Sequence, residues 1–176
     1  PLTDPYISMA EDAVKRSELY GAYEEMLRVS GTDAIGTLNY PGVSIALPIF
    51  HGTSEEVISQ GVGHMYGTSL PVGGPSTRSV LTAHSGLPQA ALFTPLHSAE
   101  VGDTFWISVL GEDHHYVVRE IESVEPGDTE SFRIIAGEDW VTLFTCTPVG
   151  VNSHRLLVHA QRIPDSAEAA IEQVID

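Results

Sequence analysis

The sequence is poor in cysteine, because Cys146 is the only one in the chain. An intramolecular disulfide needs a second cysteine, and a zinc site built from several thiolates needs more sulfur than the chain contains. Both are therefore excluded, and any chemistry at Cys146 is that of a single thiol.

Basic residues and long apolar runs are also scarce. Lysine and arginine total 8 against 24 aspartate and glutamate residues, which gives a formal net charge of -16. Such a charge repels a phosphate backbone, so a nucleic acid partner is not expected. No apolar run approaches the roughly 18 to 20 residues that cross a bilayer as a helix.

Metal-ligand spacings and phosphate-binding motifs are missing as well. His114 and His115 are adjacent and would face opposite sides of a strand, and the other histidines form no ligand spacing. Gly73-Gly74-Pro75 predicts a turn, because no Gly-Lys-Ser or Gly-Lys-Thr follows it. The sequence therefore predicts neither a metal nor a cofactor.

The residues that are present suffice for one folded domain of 176 residues, 42% of them hydrophobic. Ser8 followed by Glu11 fits a capping box, and helical spacing of apolar residues continues to Gly31. Asp165 or Ser166 would cap a final amphipathic helix. We therefore predict an N-terminal helical segment over residues 1–30, a core over 31–165 and a C-terminal helix over 166–176.

Between these helical segments, short apolar runs alternate with turn residues, which is typical of antiparallel β architecture. Tyr40-Pro41-Gly42 and Leu110-Gly111-Glu112-Asp113 predict hairpin connections. Short helical turns are expected at Ser54–Gln60 and Gln89–Leu92. We predict a mainly β fold, either a barrel or a sandwich. The predicted strands are Ala34–Asn39, Val43–Leu47, Ser79–Ala83, Thr104–Leu110, His115–Val124, Trp140–Thr145 and Arg155–Ile163.

Three side chains that can carry chemistry lie at or near predicted strand ends, namely His84, Cys146 and Arg155. A free cysteine is most often buried and inert, a single histidine is most often a polar strand-end residue, and an arginine most often makes a weak surface ion pair. The loop that follows Cys146 instead favours access to the thiol. His154 is set aside, because neighbouring side chains of a strand point to opposite faces.

Three segments resemble the motifs of the sortases, the cysteine transpeptidases that Gram-positive bacteria use on exported proteins. Thr142–Cys146 matches the Thr-Leu-x-Thr-Cys signature, Leu81–Ser85 resembles the histidine segment, and Asn152–Val158 resembles the arginine strand. The three segments follow the family's order. The resemblance implies a sortase-type closed β-barrel with short helices.

Ahead of the helical segment, Asp4-Pro5-Tyr6 resembles the Asp-Pro-aromatic lid of class C sortases, the pilin-polymerising subgroup. The resemblance implies a lid in the substrate groove, with Asp4 near the arginine and Tyr6 over the cysteine. A carboxylate can pair with a guanidinium, and a ring can shield a thiol. The alternative is that residues 1–7 are a frayed terminus.

The resemblance also implies roles for the three site residues. Cys146 would attack the Thr–Gly bond of a Leu-Pro-x-Thr-Gly sorting signal, and a pilin lysine amine would resolve the thioester. His84 would transfer protons, and Arg155 would stabilise the oxyanion. The expected partners are pilin subunits. The expected location is the outer face of the membrane in a Gram-positive cell envelope, with signal and anchor segments outside this sequence.

Two other functional classes stay open. One is a housekeeping-type sortase that anchors proteins to peptidoglycan. The other is a non-catalytic β-barrel interaction module, in which Cys146 and His84 serve only for packing. Papain-like proteolysis fits less well, because the cysteine of those enzymes opens a helix near the mature N-terminus, whereas Cys146 ends a late strand.

Overall fold

The computed structural model of the chain describes residue 2, residues 4–6 and residues 18–164. The predicted cap at Ser8 and the predicted C-terminal helix lie outside the described residues and stay predictions. The helices are α1 (Glu18–Glu25) and α2 (Glu55–Ile58). The strands are β1 (Gly36–Tyr40), β2 (Ile45–His51), β3 (Val62–His64), β4 (Thr77–Thr82), β5 (Thr104–Val109), β6 (Glu112–Val124), β7 (Asp139–Thr147) and β8 (His154–Arg162).

The strands close into one barrel in the order β1, β2, β3, β4, β7, β8, β6, β5. This confirms the predicted mainly β fold and selects the barrel over the sandwich. The expectation of antiparallel pairing is wrong in two places, because β2 pairs with β3, and β4 with β7, in parallel. Parallel neighbours need a crossover instead of a hairpin. Helix α2 lies in the first crossover, and β5 and β6 lie in the second.

Two local predictions failed. One strand is too short to give a sequence pattern, and one helical turn lies a few residues after its predicted position. Strand β3 was not predicted, because three residues are too few to show alternation. The predicted helical turn at Gln89–Leu92 is wrong, and a 3-10 turn lies at Thr94–Ser98 instead, with a proline in its first turn. The hairpin predicted at Tyr40-Pro41-Gly42 is confirmed by the antiparallel pairing of β1 with β2.

Helix α2 is fixed to the barrel wall by its cap and by a glycine behind it. Ser54 Oγ accepts a 3.3 Å hydrogen bond from Val57 N, which confirms the helical turn predicted at Ser54–Gln60. A Cβ atom on Gly63 of β3 would lie 3.1 Å from Ile58 Cγ2. The Gly52 carbonyl oxygen would lie closer still to that Cβ atom, so the backbone excludes any side chain at this position and the helix adds to the crowding.

Strand β7 is buried on both faces, which explains why its apolar residues do not alternate with exposed polar ones. All residues from Val141 to Cys146 are buried. Leu143 belongs to the main core inside the barrel, whereas its neighbour Phe144 packs outside with Phe132 and with the N-terminal Tyr6. A strand covered on both sides reads as a run of apolar residues without alternation.

Helix α1 is attached to the barrel by two buried tyrosines, Tyr20 and Tyr23. Tyr23 Oη lies 2.6 Å from His64 Nδ1 and accepts a 3.0 Å hydrogen bond from Gly52 N. Gly21 lies within this helix. Helix α1 is thus anchored beside β3.

Candidate active site

Cys146 and Arg155 lie directly opposite each other on β7 and β8. The antiparallel pairing of these strands makes the two residues register partners. Residues directly opposite in such a pair share one face of the sheet. Each residue is 5% exposed. The thiol and the guanidinium are therefore held by regular strands, which position side chains more precisely than loops do.

His84 follows the end of β4, which runs parallel to β7. One side chain next to Cys146 and one next to His84 tie the two segments together. Thr145 Oγ1 donates a 2.7 Å hydrogen bond to the Ala83 carbonyl, and Ser85 Oγ donates a 2.9 Å bond to the Cys146 carbonyl. These bonds hold the backbone of His84 beside that of Cys146. The structure thus brings together the three chain segments that the sequence singled out.

Tyr6 lies between the histidine and the arginine. The centroid of its ring is 5.4 Å from that of His84 and 5.2 Å from Arg155 Cζ. Tyr6 Oη donates a 2.9 Å hydrogen bond to the Ala83 carbonyl and lies 2.7 Å from Thr82 Oγ1. Burial raises the pKa of the Tyr6 phenol, so the hydroxyl keeps its proton.

Asp4 is bound to Arg155 in the same place. Asp4 Oδ2 accepts a 2.9 Å hydrogen bond from Arg155 Nε and a 3.3 Å bond from Gly127 N. Asp4 Oδ1 accepts a 2.8 Å bond from Tyr6 N. The Arg155 side chain is 6% exposed and the Asp4 side chain 5%. For residues 4–6, the alternative of a frayed terminus is therefore wrong.

The strand-end position of Cys146 does not make its thiol accessible. Cys146 is buried, and burial raises the pKa of the thiol. The positive charge of Arg155 opposes this rise in pKa, and the Asp4 carboxylate adds to it. The expectation of access is wrong because Asp4 and Tyr6 pack against the segments that flank the thiol.

One further side chain at the site was not predicted from the sequence. Glu55, the first residue of α2, has both carboxylate oxygens 2.9 Å from His84 Nε2. The sequence indicated the helical turn that carries Glu55, but no pattern in it linked that turn to a histidine far along the chain. The contact of Glu55 with His84 could be predicted only if the crossover of α2 between two parallel strands were already known.

The remaining histidines form no metal site in the described part of the chain. His154 has a half-exposed side chain and lies 3.3 Å from Glu125 Oε1, as expected for the face opposite Arg155. Within residues 2, 4–6 and 18–164, no group of three or more histidine, cysteine, aspartate and glutamate side chains is placed to hold a metal ion. No helix in these ranges is long and apolar enough to cross a membrane.

Comparison with known proteins identifies the family. A model of the sortase domain matches residues 38–163, a span that contains His84, Cys146 and Arg155. The chain belongs to the sortase family. The resemblance that the three sequence segments predicted is thus confirmed over most of the barrel.

Solved structures of class C sortases superpose closely on this sortase. Sortase C-1 from Actinomyces oris superposes with a TM-score of 0.86 and 44% identity, over 93% of this chain and 89% of that one. Sortase C2 of Group B Streptococcus Pilus Island 1 superposes with a TM-score of 0.82 and 45% identity, over 93% of this chain and 86% of that one. These matches confirm the resemblance to class C sortases.

A relative with a different name is also similar to this sortase. Sortase A of Streptococcus agalactiae serotype III (strain NEM316) is 32% identical over 130 residues, which cover 72% of this chain and 52% of the relative. The sortase described here therefore spans about half the length of that relative.

Proposed function

We propose that this sortase is a cysteine transpeptidase whose nucleophile is Cys146. The observation that carries the proposal is the register pairing of Cys146 with Arg155, beside His84, on a sortase barrel. Acyl transfer needs a nucleophile, a proton carrier and a group that stabilises the oxyanion, and these three residue types supply them. A non-catalytic interaction module has no need for a buried arginine on the same sheet face as its single thiol.

In the first step, the Cys146 thiol passes its proton to His84, and the resulting thiolate attacks the carbonyl carbon of the Thr–Gly bond in a Leu-Pro-x-Thr-Gly sorting signal. Arg155 stabilises the negative carbonyl oxygen of the tetrahedral intermediate. The C–N bond then breaks, and the His84 imidazolium donates its proton to the leaving amine. An acyl thioester on Cys146 remains.

In the second step, a lysine amine of another pilin subunit attacks the thioester carbonyl. His84 accepts the proton that the amine loses, the C–S bond breaks, and the Cys146 thiolate is released. The product is an amide bond between two subunits. The likeness to a sortase named for a pilus island supports pilin subunits as donor and acceptor. The proposed location is the outer face of the membrane in a Gram-positive cell envelope.

We assign Asp4, Pro5 and Tyr6 the role of a class C lid. While the Asp4 carboxylate binds Arg155 Nε, that nitrogen is not free for a substrate oxyanion. Tyr6 fills the space beside the His84 ring. The substrate carbonyl has to replace the carboxylate at Arg155, so the lid leaves before the thioester forms.

Intact mass spectrometry of the full chain, incubated with a Leu-Pro-x-Thr-Gly peptide, tests the proposal. The expected result is a covalent adduct with the mass of the acyl fragment, absent in Cys146→Ala and released by an added amine. Ser153→Ala, an exposed change close to Arg155 in the chain, is the matched control and should keep the adduct. A parent chain that forms no adduct contradicts the proposal.

The second candidate is a sortase that attaches proteins to peptidoglycan, which the identity to a protein named Sortase A favours. Offering the thioester both purified pilin and a peptidoglycan-type amine separates the two. A pilin-linked product supports the first candidate, whereas transfer to the peptidoglycan amine alone supports the second.

A further inference from the structure

Glu55 makes a contact with His84 that the transpeptidase steps above do not use. Both oxygens of its carboxylate lie 2.9 Å from His84 Nε2. The side chain of His84 is 17% exposed and that of Glu55 is 77% exposed. The contact therefore joins a mostly buried imidazole to a carboxylate that is exposed to solvent.

The carboxylate determines which ring nitrogen carries the hydrogen. Partial burial raises the pKa of Glu55, but hydrogen bonds from His84 and Ser59 lower it below its usual value. Glu55 is therefore ionised at neutral pH, and an ionised carboxylate only accepts hydrogen bonds. His84 Nε2 must be the donor. In the neutral ring, Nδ1 then holds the lone pair and is the nitrogen that can take a proton.

One short helix holds both ends of this contact. Ser59 Oγ donates a 2.9 Å hydrogen bond to Glu55 Oε1 and so restrains the carboxylate. The backbone of His84 donates a 3.1 Å bond from its N–H to the Ile58 carbonyl. Helix α2 therefore sets the position of the carboxylate and of the histidine backbone together.

We propose that Glu55 is a positioning residue that keeps His84 Nε2 directed at α2 and leaves Nδ1 for the reacting atoms. The inference rests on the proposed transpeptidase function, because it assigns Glu55 the orienting place beside a nucleophile and its proton carrier. Glu55 is exposed and water screens its charge, so the role assigned to it is the orientation of the ring.

Kinetics of thioester formation with a Leu-Pro-x-Thr-Gly peptide test the role of Glu55. Removing an orienting carboxylate costs up to about 10,000-fold in kcat where it is buried, so an exposed one should cost less, about tenfold for Glu55→Ala. KM should change by less than about twofold, because the proposed role of Glu55 is exerted through His84 and not on the peptide itself. Glu55→Gln keeps an acceptor oxygen and should recover part of kcat.

Glu56→Ala is the matched control, because Glu56 is the exposed neighbour in the same first helical turn. It should leave kcat unchanged. An equal loss of kcat in Glu56→Ala, or an unchanged kcat in Glu55→Ala, overturns the inference.

Nitrogen NMR of the chain labelled with 15N-histidine gives a readout without activity, with the His84 signals assigned by a His84→Asn variant. The parent should show a protonated Nε2 and an unprotonated Nδ1, and Glu55→Ala should average the two shifts. Unchanged shifts in Glu55→Ala also overturn the inference. A parent chain that forms no thioester rejects the transpeptidase proposal instead, and the nitrogen shifts still decide whether Glu55 orients the ring.

Discussion

Arg155 Nε donates a 2.9 Å hydrogen bond to Asp4 Oδ2, so the buried guanidinium beside Cys146 is neutralised by a carboxylate from the N-terminus. Removing one partner of such a pair leaves an uncompensated buried charge, which costs about 3 to 5 kcal/mol. When Asp4 leaves Arg155, another oxygen, from water or from a bound molecule, therefore has to replace its carboxylate.

The double substitution Asp4→Ala and Tyr6→Ala should increase the rate at which thiol reagents label Cys146. It removes two side chains that bind Arg155 and the segment before His84, and with Asp4 it removes the carboxylate that raises the pKa of Cys146. A fall of one pKa unit alone gives about ten times more thiolate at neutral pH. Asp33→Ala removes an exposed charge elsewhere and is the control. An unchanged labelling rate would count against a closed lid.

The pH dependence of labelling should respond to the two charges in opposite directions. Asp4→Asn removes a negative charge that raises the pKa of Cys146, so the midpoint of the labelling rate should move to lower pH. Adding Arg155→Gln removes the positive charge that lowers this pKa, so the midpoint should move back to higher pH. In this double variant both side chains are neutral, so no unpaired charge is buried. Midpoints in the reverse order would contradict this account of the thiol.

The three principal site residues could be predicted because their motifs are local and lie on strands. Thr142–Cys146 is a continuous strand segment, and the arginine strand follows after one loop. Two strands joined in this way pair readily, so Cys146 and Arg155 meet in register. The Asp4 contact was predicted only through resemblance, because no local rule connects residues that are 151 positions apart.

The Glu55–His84 contact could not be predicted, because it depends on the parallel part of the topology. Helix α2 crosses between β2 and β3, which are parallel neighbours, and β3 is too short to show a strand pattern. Without β3, nothing in the sequence indicates that α2 lies beside the end of β4. Alternation and turn residues predict hairpins, and they contain no information about crossovers.

The sortase should lose stability below neutral pH because of His64, whose imidazole is fully buried. Burial lowers the pKa of His64 to about 4, against about 6.5 in an unfolded chain. Between these values the unfolded chain binds more protons, so stability is lost as the pH falls from about 6.5 towards 4, by up to about 3 kcal/mol. Urea unfolding of the parent and of His64→Gln, at about pH 7 and about pH 4.5, measures the effect.

The difference between the parent and His64→Gln in the stability lost on acidification isolates the contribution of His64. Burial also lowers the pKa of His51 and of His159, so these residues contribute with the same sign in both proteins. His64→Gln should be less stable at neutral pH, because it disturbs the hydrogen bond to Tyr23 Oη. Its further loss in acid should be smaller than that of the parent. An equal loss would mean that His64 does not titrate as its burial requires.

Arg155→Lys should reduce kcat for thioester formation about 100-fold while leaving the labelling of Cys146 close to that of the parent. Lysine keeps the positive charge that lowers the pKa of the thiol, but it lacks the planar fork that points several donors at once. In the parent, Arg155 Nη1 is held by the Asn152 and His154 carbonyls at 3.0 Å, which leaves Nε directed at Asp4 Oδ2. Arg133→Lys, at an exposed site, is the matched control. A variant that keeps kcat would show that charge near the thiol suffices, and would remove the oxyanion role from the guanidinium.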